Sequence, residues 1–244
     1  VQWCWLGANG TASNSNGSIT STVSANTTAG FSIVSYTGTG SNATIGHGLG
    51  AVPRWIIVKV RDASNNWIVQ HGSLGATKRM LLDATSAEAS ASTFFNNTEP
   101  TSSVFSVGTE DVTNNNGNAY IAYCFAEKTG YSKFGSYTGN GNADGTFAYT
   151  GFKPAWVIIK RTDSTSHWRM FDNKREGFNV DNDALKANTS DAETTTDFID
   201  LLSNGFKLRS TDSAVNSGSF IYMAFAENSF VANDSGTAVP VVAR

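Results

Sequence analysis

Pro53-Arg54-Trp55-Ile56-Ile57-Val58-Lys59 returns about a hundred residues later as Pro154-Ala155-Trp156-Val157-Ile158-Ile159-Lys160. Each is an unbroken apolar run of strand length behind a proline, the pattern of a strand buried on both faces. Other segments recur in the same order. Ser35-Tyr36-Thr37-Gly38-Thr39-Gly40 is echoed by Ser136-Tyr137-Thr138-Gly139-Asn140-Gly141, and Asp62 and Trp67 by Asp163 and Trp168. Phe105-Ser106 falls opposite Phe206-Lys207. Tyr120-Ile121-Ala122-Tyr123-Cys124-Phe125-Ala126-Glu127 is matched by Phe220-Ile221-Tyr222-Met223-Ala224-Phe225-Ala226-Glu227. A near-constant offset of about 101 residues, shrinking to about 100 at the last block, reads as an internal duplication.

Within a copy the segments are short, aromatic and β-branched, and turn residues separate them. In the first copy strands are expected over 31–37, 54–60, 66–71, 79–83, 92–96, 103–108 and 119–126. Seven or eight such strands in about 95 residues fit a β-sandwich. The expected fold class is therefore all-β, with two tandem duplicated β-sandwich domains at 31–128 and 129–230. Helix-like stretches are brief, at 85–90, 179–187 and 191–197. Gly38, Gly40, Gly139 and Gly141 mark a turn that needs positive φ.

Trp3-Cys4-Trp5 is similar to Tyr123-Cys124-Phe125, so residues 1–6 read as the last strand of a preceding copy and the parent as a tandem array. Residues 7–30 are rich in Ser, Thr, Asn and Gly and read as a flexible linker. Residues 231–244 are left as a C-terminal tail. Cys4 and Cys124 hold equivalent positions, where buried packing is a better account than a disulfide.

Composition sharpens the class. Only 15% of the 244 residues are charged, where about a quarter is usual. Ser, Thr and Asn make up about a third of the chain and replace that charge. A net charge of -3 gives no basic footprint for nucleic acid. No run approaches the 18 or so apolar residues of a membrane helix, so no membrane insertion is expected. Six Trp, seven Tyr and 15 Phe supply a core and exclude general disorder. Two cysteines exclude a disulfide scaffold, and no secretory leader pattern opens the chain.

Chemistry-bearing motifs are sparse. Nucleophile elbow, P-loop and His-Glu-x-x-His patterns are absent. The three histidines do not recur between copies, so no catalytic residue is assigned and no cofactor is expected. Asp62 and Asp163 follow the apolar run in Asn- and Ser-rich loops. They are weak Ca²⁺ candidates against an ordinary Asx turn. Trp67 and Trp168 each follow a polar loop and are the leading ligand-stacking candidates, with core filling as the competing role. Arg61, Arg161 and His71 lie near the same segments, and Asp172, Lys174 and Arg175 belong to the densest charge cluster. These residues complete the candidate glycan-binding set.

The second copy resembles the tandem β-domains of tail-fibre-like proteins of marine bacteriophages. The resemblance is carried by Ser136–Gly141, Gly151–Arg161, Asp172–Arg175, Ser203–Arg209 and Tyr222–Glu227, and in the first copy by Ser35–Gly40, His47–Gly50 and Tyr120–Glu127. It covers about 30–230 and brings no catalytic motif. It implies a jelly-roll or lectin-like sandwich in a virion tail appendage. The expected partners are a host cell-surface polysaccharide or receptor and other virion tail proteins, with a homotrimer as an assembly the resemblance allows. The expected function is non-enzymatic host adhesion. A ligand-free structural spacer or capsid or tail decoration protein is the first alternative, and a polysaccharide depolymerase the second.

Overall fold

A computed structural model of the chain describes residues 2–175, 179, 183–228, 231–232 and 239–240. Two compact units divide the chain, Gln2–Ala126 and a second that runs from Glu127. Both are all-β, built from antiparallel sheets, none of them closed into a barrel.

The first unit contains β1 (Ala12–Asn14), β2 (Ser21–Asn26), β3 (Phe31–Thr37), β4 (Ala43–Gly46), β5 (Trp55–Val60), β6 (Ile68–His71), β7 (Lys78–Leu81), β8 (Ala89–Ser90), β9 (Val104–Val107) and β10 (Ala119–Phe125). Eight strands form one sheet in the order β1-β2-β3-β10-β5-β6-β7-β8, and β4 pairs with β9 in a second. Side chains alternate across each strand, so register decides what is buried. Tyr120 of β10 stands level with Tyr36 and Val60, and Ala122 with Val34 and Val58. This row meets Ile45 of β4 and Phe105 and Val107 of β9 in one core.

The second unit contains β11 (Ser132–Asn140), β12 (Phe147–Tyr149), β13 (Trp156–Arg161), β14 (Arg169–Asp172), β15 (Leu185–Lys186), β16 (Ile199–Leu202), β17 (Gly205–Leu208) and β18 (Ser217–Phe225). Its sheets run β11-β18-β13-β14-β15 and β12-β17-β16. Tyr137, Phe220, Val157 and Phe171 from the larger sheet share a core with Phe206, Leu208 and Leu201 from the smaller. In each unit the closing strand, β10 or β18, is inserted between the strand carrying Tyr36 or Tyr137 and the strand of the apolar run.

One-turn helices complete the units: α1 (Ser92–Phe95), α2 (Asp111–Asn114) and α3 (Ser213–Asn216). α2 and α3 carry a matching device. Tyr36 Oη donates to the Thr113 carbonyl and Tyr137 Oη to the Val215 carbonyl, both at 2.6 Å. The next residue in each is a fully buried asparagine, Asn114 or Asn216. Asn114 Oδ1 accepts from the Thr39 N–H at 2.9 Å, and Asn216 Oδ1 from the Asn140 N–H at 3.1 Å. Gly40 and Gly141 have φ of +70° and +68°, as the turn reading requires. Gly38 and Gly139 are needed for space instead, since a Cβ there would come within 2.2 Å of backbone atoms of Asn115 and Asn216.

Residues 7–30 are not a linker. They supply β1 and β2, and β2 pairs with β3 along its length. Ile19, Ser21 and Val23 alternate inward, the Ser21 hydroxyl donating to the Gly46 carbonyl at 2.7 Å. Two buried aliphatic side chains, each contributing about 1.5–3 kcal/mol, and a ladder of backbone bonds hold this polar segment in place.

Other expectations are also corrected. No strand forms over residues 2–8; instead Trp5 packs edge-on against Phe125, and Leu6 O accepts from Asn26 Nδ2. Cys4 is exposed, whereas Cys124 is buried. Residues 85–90 and 191–197 contain no helix, and 92–96 makes α1 rather than a strand. Asn96 and Asn97 enter the left-handed region at φ of 51° and 48°, which ends α1 after one turn. Of the helix-like stretch 179–187, residues 180–182 lie outside the described residues; Leu185–Lys186 is strand β15.

Candidate functional site

The loop between β5 and β6 is exposed from Arg61 to Ser64 and is tied down at both ends. Asp62 Oδ2 accepts from the Ala119 N–H at 2.8 Å, which fixes the start of the closing strand. Asp83 Oδ1 accepts from the Trp67 N–H at 3.2 Å, and its Oδ2 from Asn66 Nδ2 at 3.2 Å. Trp67 therefore enters β6 in a fixed orientation. Its indole stacks on Tyr123, with centroids 6.3 Å apart and planes 19° apart. Tyr123 stands level with Ile33 and Ile57, on the sheet face turned away from the core. All four side chains are half-buried. The result is a flat aromatic and aliphatic strip beside a polar loop that bears Arg61, which is exposed.

His71 does not join this strip as an accessible group. It is fully buried, its Nδ1 accepts from the Ser73 N–H at 3.0 Å, and its ring meets Trp55 edge-on at 5.0 Å. The ring serves a turn and the core, not a ligand.

The second unit treats the matching residues differently. Trp168 is 0% exposed, and its backbone N–H donates to Asn188 Oδ1 at 3.0 Å. Trp168 is therefore not a ligand-stacking residue; it fills the second role the sequence offers and packs in the interior. Arg161 Nε donates to Asp163 Oδ1 at 2.7 Å and its Nη1 to the Ser213 carbonyl at 3.1 Å. That guanidinium bond holds the Asp163 carboxyl below its ordinary pKa. Asp163 Oδ2 accepts from the Ser219 N–H at 3.2 Å, the role Asp62 has in the first unit. Both candidate Ca²⁺ carboxylates thus anchor the closing strand of their own unit. Among the described residues no three His, Cys, Asp or Glu side chains gather as a metal site.

The charge cluster is engaged internally. Asp172 is buried, its Oδ1 accepting from the Lys174 N–H at 2.9 Å and its Oδ2 from Arg175 Nε at 2.7 Å. Arg175 also pairs with Glu193, and Lys174 with Glu227. The Lys174 ammonium holds Glu227 below its ordinary pKa. Asp172, Lys174 and Arg175 fold a loop back on itself instead of presenting unpaired charge to a ligand.

Sequence reasoning missed three positions. Tyr123 was placed only as part of a strand, although its alternation with Ala122 and Cys124 puts it on the opposite face. Phe147 and Tyr149 went unread. They alternate with Ala148 in a strand too short to stand out between Gly145 and Gly151, and both are exposed.

A family model described as a domain of unknown function, DUF7483, matches residues 1–229. No curated protein and no solved structure matches the chain.

Proposed function

The chain belongs to the DUF7483 family, and we propose that it is a non-enzymatic adhesion module that binds host-surface glycan as part of a phage tail fibre or tail appendage. The observation that carries the binding reading is the Trp67–Tyr123 stack, half-buried on the outer face of a sheet and flanked by Ile33 and Ile57. Sugar rings present apolar C–H faces that lie against such a surface, and their hydroxyls suit the uncharged Ser and Asn side chains of the adjoining loop. The virion setting rests on the sequence resemblance, with polysaccharide or receptor on the host cell and other tail proteins as partners.

Two tandem jelly-roll or lectin-like sandwiches are the fold we propose for this module. Supporting it are the shared strand succession, the Tyr36 and Tyr137 bonds and the buried Asn114 and Asn216. Weak individual sites repeated along a fibre gain from effective concentration.

The test is binding of the whole chain to a glycan array and to host cells, beside Trp67→Ala. Retention of wild type and about tenfold weaker binding by the variant, with unchanged circular dichroism, is expected. A correctly folded chain that binds no glycan and no host cell would refute the proposal.

A further inference from the structure

We infer that the solvent face of the three-stranded sheet in the second unit is a separate saccharide-binding surface, taking a neutral sugar chain against the rings of Phe147 and Tyr149. It rests on the reading above for the class of ligand and on none of the residues used there.

Adjoining exposed apolar side chains are a surface on which a ligand's apolar face can lie, and the largest such patch on a protein is often functional. Phe147 is 42% exposed and Tyr149 64% exposed. They sit two residues apart on β12, so both rings leave the same face while Ala148 points into the core. Tyr149 is also the one exposed tyrosine among the seven in the chain.

The neighbouring strands keep this face flat. Across the sheet Phe147 stands level with Lys207 and Asp200, and Tyr149 with Gly205 and Leu202. The Phe147 ring leans across Gly205, where an added Cβ would lie 2.8 Å from its Cζ and 2.2 Å from the Ala148 carbonyl oxygen. Polar groups beside the rings are charged but balanced. Lys207 pairs with Asp144 at 2.6 Å, and Arg209 with Asp144 and Asp200. Two cations and two carboxylates offer hydroxyls both donors and acceptors with no net charge, which suits a neutral chain better than an acidic one.

The first unit lacks this arrangement. Where β12 faces Phe206 with Ala148, β4 faces Phe105 with Ile45, so Thr44 and Gly46 take the places of Phe147 and Tyr149. There the strand is covered: Ile19 bridges to Ile45, and Asn14 Oδ1 lies 2.1 Å from where a Gly46 Cβ would be. Among the described residues no strand pairs with the outer edge of β12, where the Tyr149 carbonyl accepts from Tyr222 Oη at 3.2 Å.

A protein partner fits less well. At the stated exposures two rings that could each bury 150–250 Å² leave on the order of 200 Å² to cover. A stable protein interface needs about 800 Å² from each partner. Three residues also make a short edge for strand addition.

The test uses the whole chain as wild type, Trp67→Ala and the double variant Phe147→Ala/Tyr149→Ala. Affinity electrophoresis through hydroxyethylcellulose, laminarin, mannan and alginate reads binding. Nitration of wild-type Tyr149 by tetranitromethane, with and without each polysaccharide, reads occupancy of the face without any substitution. We expect retardation by at least one neutral polysaccharide, weakened about tenfold in the double variant, and slower Tyr149 nitration in its presence. Retardation that Trp67→Ala abolishes, while the double variant and Tyr149 nitration are unaffected, overturns this inference and leaves the adhesion reading standing. Retardation by none of the four overturns this inference, and the array decides the adhesion reading. Retardation by alginate alone overturns the neutral-chain assignment. A dimer in sedimentation that the double variant dissociates makes the face a protein interface and overturns it too.

Discussion

The buried amide of Asn216 and the exposed Asn140 hold each other twice: Asn216 Nδ2 donates to Asn140 Oδ1 at 3.1 Å, and Asn216 Oδ1 accepts from the Asn140 N–H at 3.1 Å. The same Nδ2 reaches the carbonyls of Asn142 at 2.7 Å and Ser210 at 2.8 Å. One side chain thereby joins the end of β11 to the turn before α3. Removing it takes away a fully buried amide and the four bonds by which it ties these segments together. Asn216→Ala is expected to cost about 2–4 kcal/mol, and chemical denaturation followed by circular dichroism will measure it. A loss below about 0.5 kcal/mol, the size of an ordinary surface change, would show that the network is ornamental.

Alkaline behaviour follows from burial. Burial raises the phenols of Tyr36 and Tyr137 well above their ordinary value, and that of Tyr222 to about 12. A raised folded-state pKa gives stability that is complete below about pH 10, the unfolded value, and is lost as pH climbs toward the folded one. Lys160 acts in the opposite sense, since burial lowers its ammonium to about 8. Its contribution is present above about 10.4, the unfolded value, and falls away as pH drops through 8. The denaturation midpoint should therefore rise from pH 7 to about 9.5 and fall beyond pH 10. Lys160→Met should flatten the rising limb; an unchanged rise in that variant would remove Lys160 from the account.

Residues 12–26 are expected to be indispensable to the first unit. Deleting 2–26 strips β2 from β3 and uncovers Val34 and Ile45, which Val23 and Ile19 help to bury. Loss of solubility or of the cooperative transition of this unit is expected in scanning calorimetry. A deletion variant that keeps two transitions at wild-type temperatures would refute this. Val23→Ser, a milder change, should cost about 1–3 kcal/mol.

The pair Lys174–Glu227 lies at the surface, both side chains more than 40% exposed. Glu227→Gln should lower the unfolding free energy by less than about 1 kcal/mol in chemical denaturation, and salt should erase the difference. Asp172, buried beneath Arg175, should be the costlier of the two to replace.

The sequence made the central strands legible because apolar runs and aromatic alternation are signals that tertiary context rarely overrides. Residues 55–60 and 119–125 lie inside the expected segments. Residues 21–26 were illegible because Ser21 takes an inward position that a hydrophobic pattern cannot count. The asparagine pair was hidden by drift in the offset, which is 101 at Phe105 and Phe206, 102 at Asn114 and Asn216, and 100 at Tyr120 and Phe220. Trp67 and Trp168 look equivalent in sequence, yet one is half-buried and the other wholly buried. What covers a sheet's outer face is a tertiary matter that the strand's own residues do not encode.

The insertion of β10 between β3 and β5, and of β18 between β11 and β13, has a consequence for synthesis. In each large sheet a ribosome delivers last the strand that joins the two sides. Until residues 119–125 emerge, β3 and β5 have no neighbour to join them, and the Tyr120 ring that stands between Tyr36 and Val60 does not yet exist. Pairings across such sequence separations are slow to close, on the order of milliseconds to seconds for all-β domains. Each unit therefore waits, with open strand edges, for its final stretch. The nascent chain is most exposed to aggregation just before residues 119 and 217 are made, and an early stop at either point leaves a sheet without the strand that joins its parts.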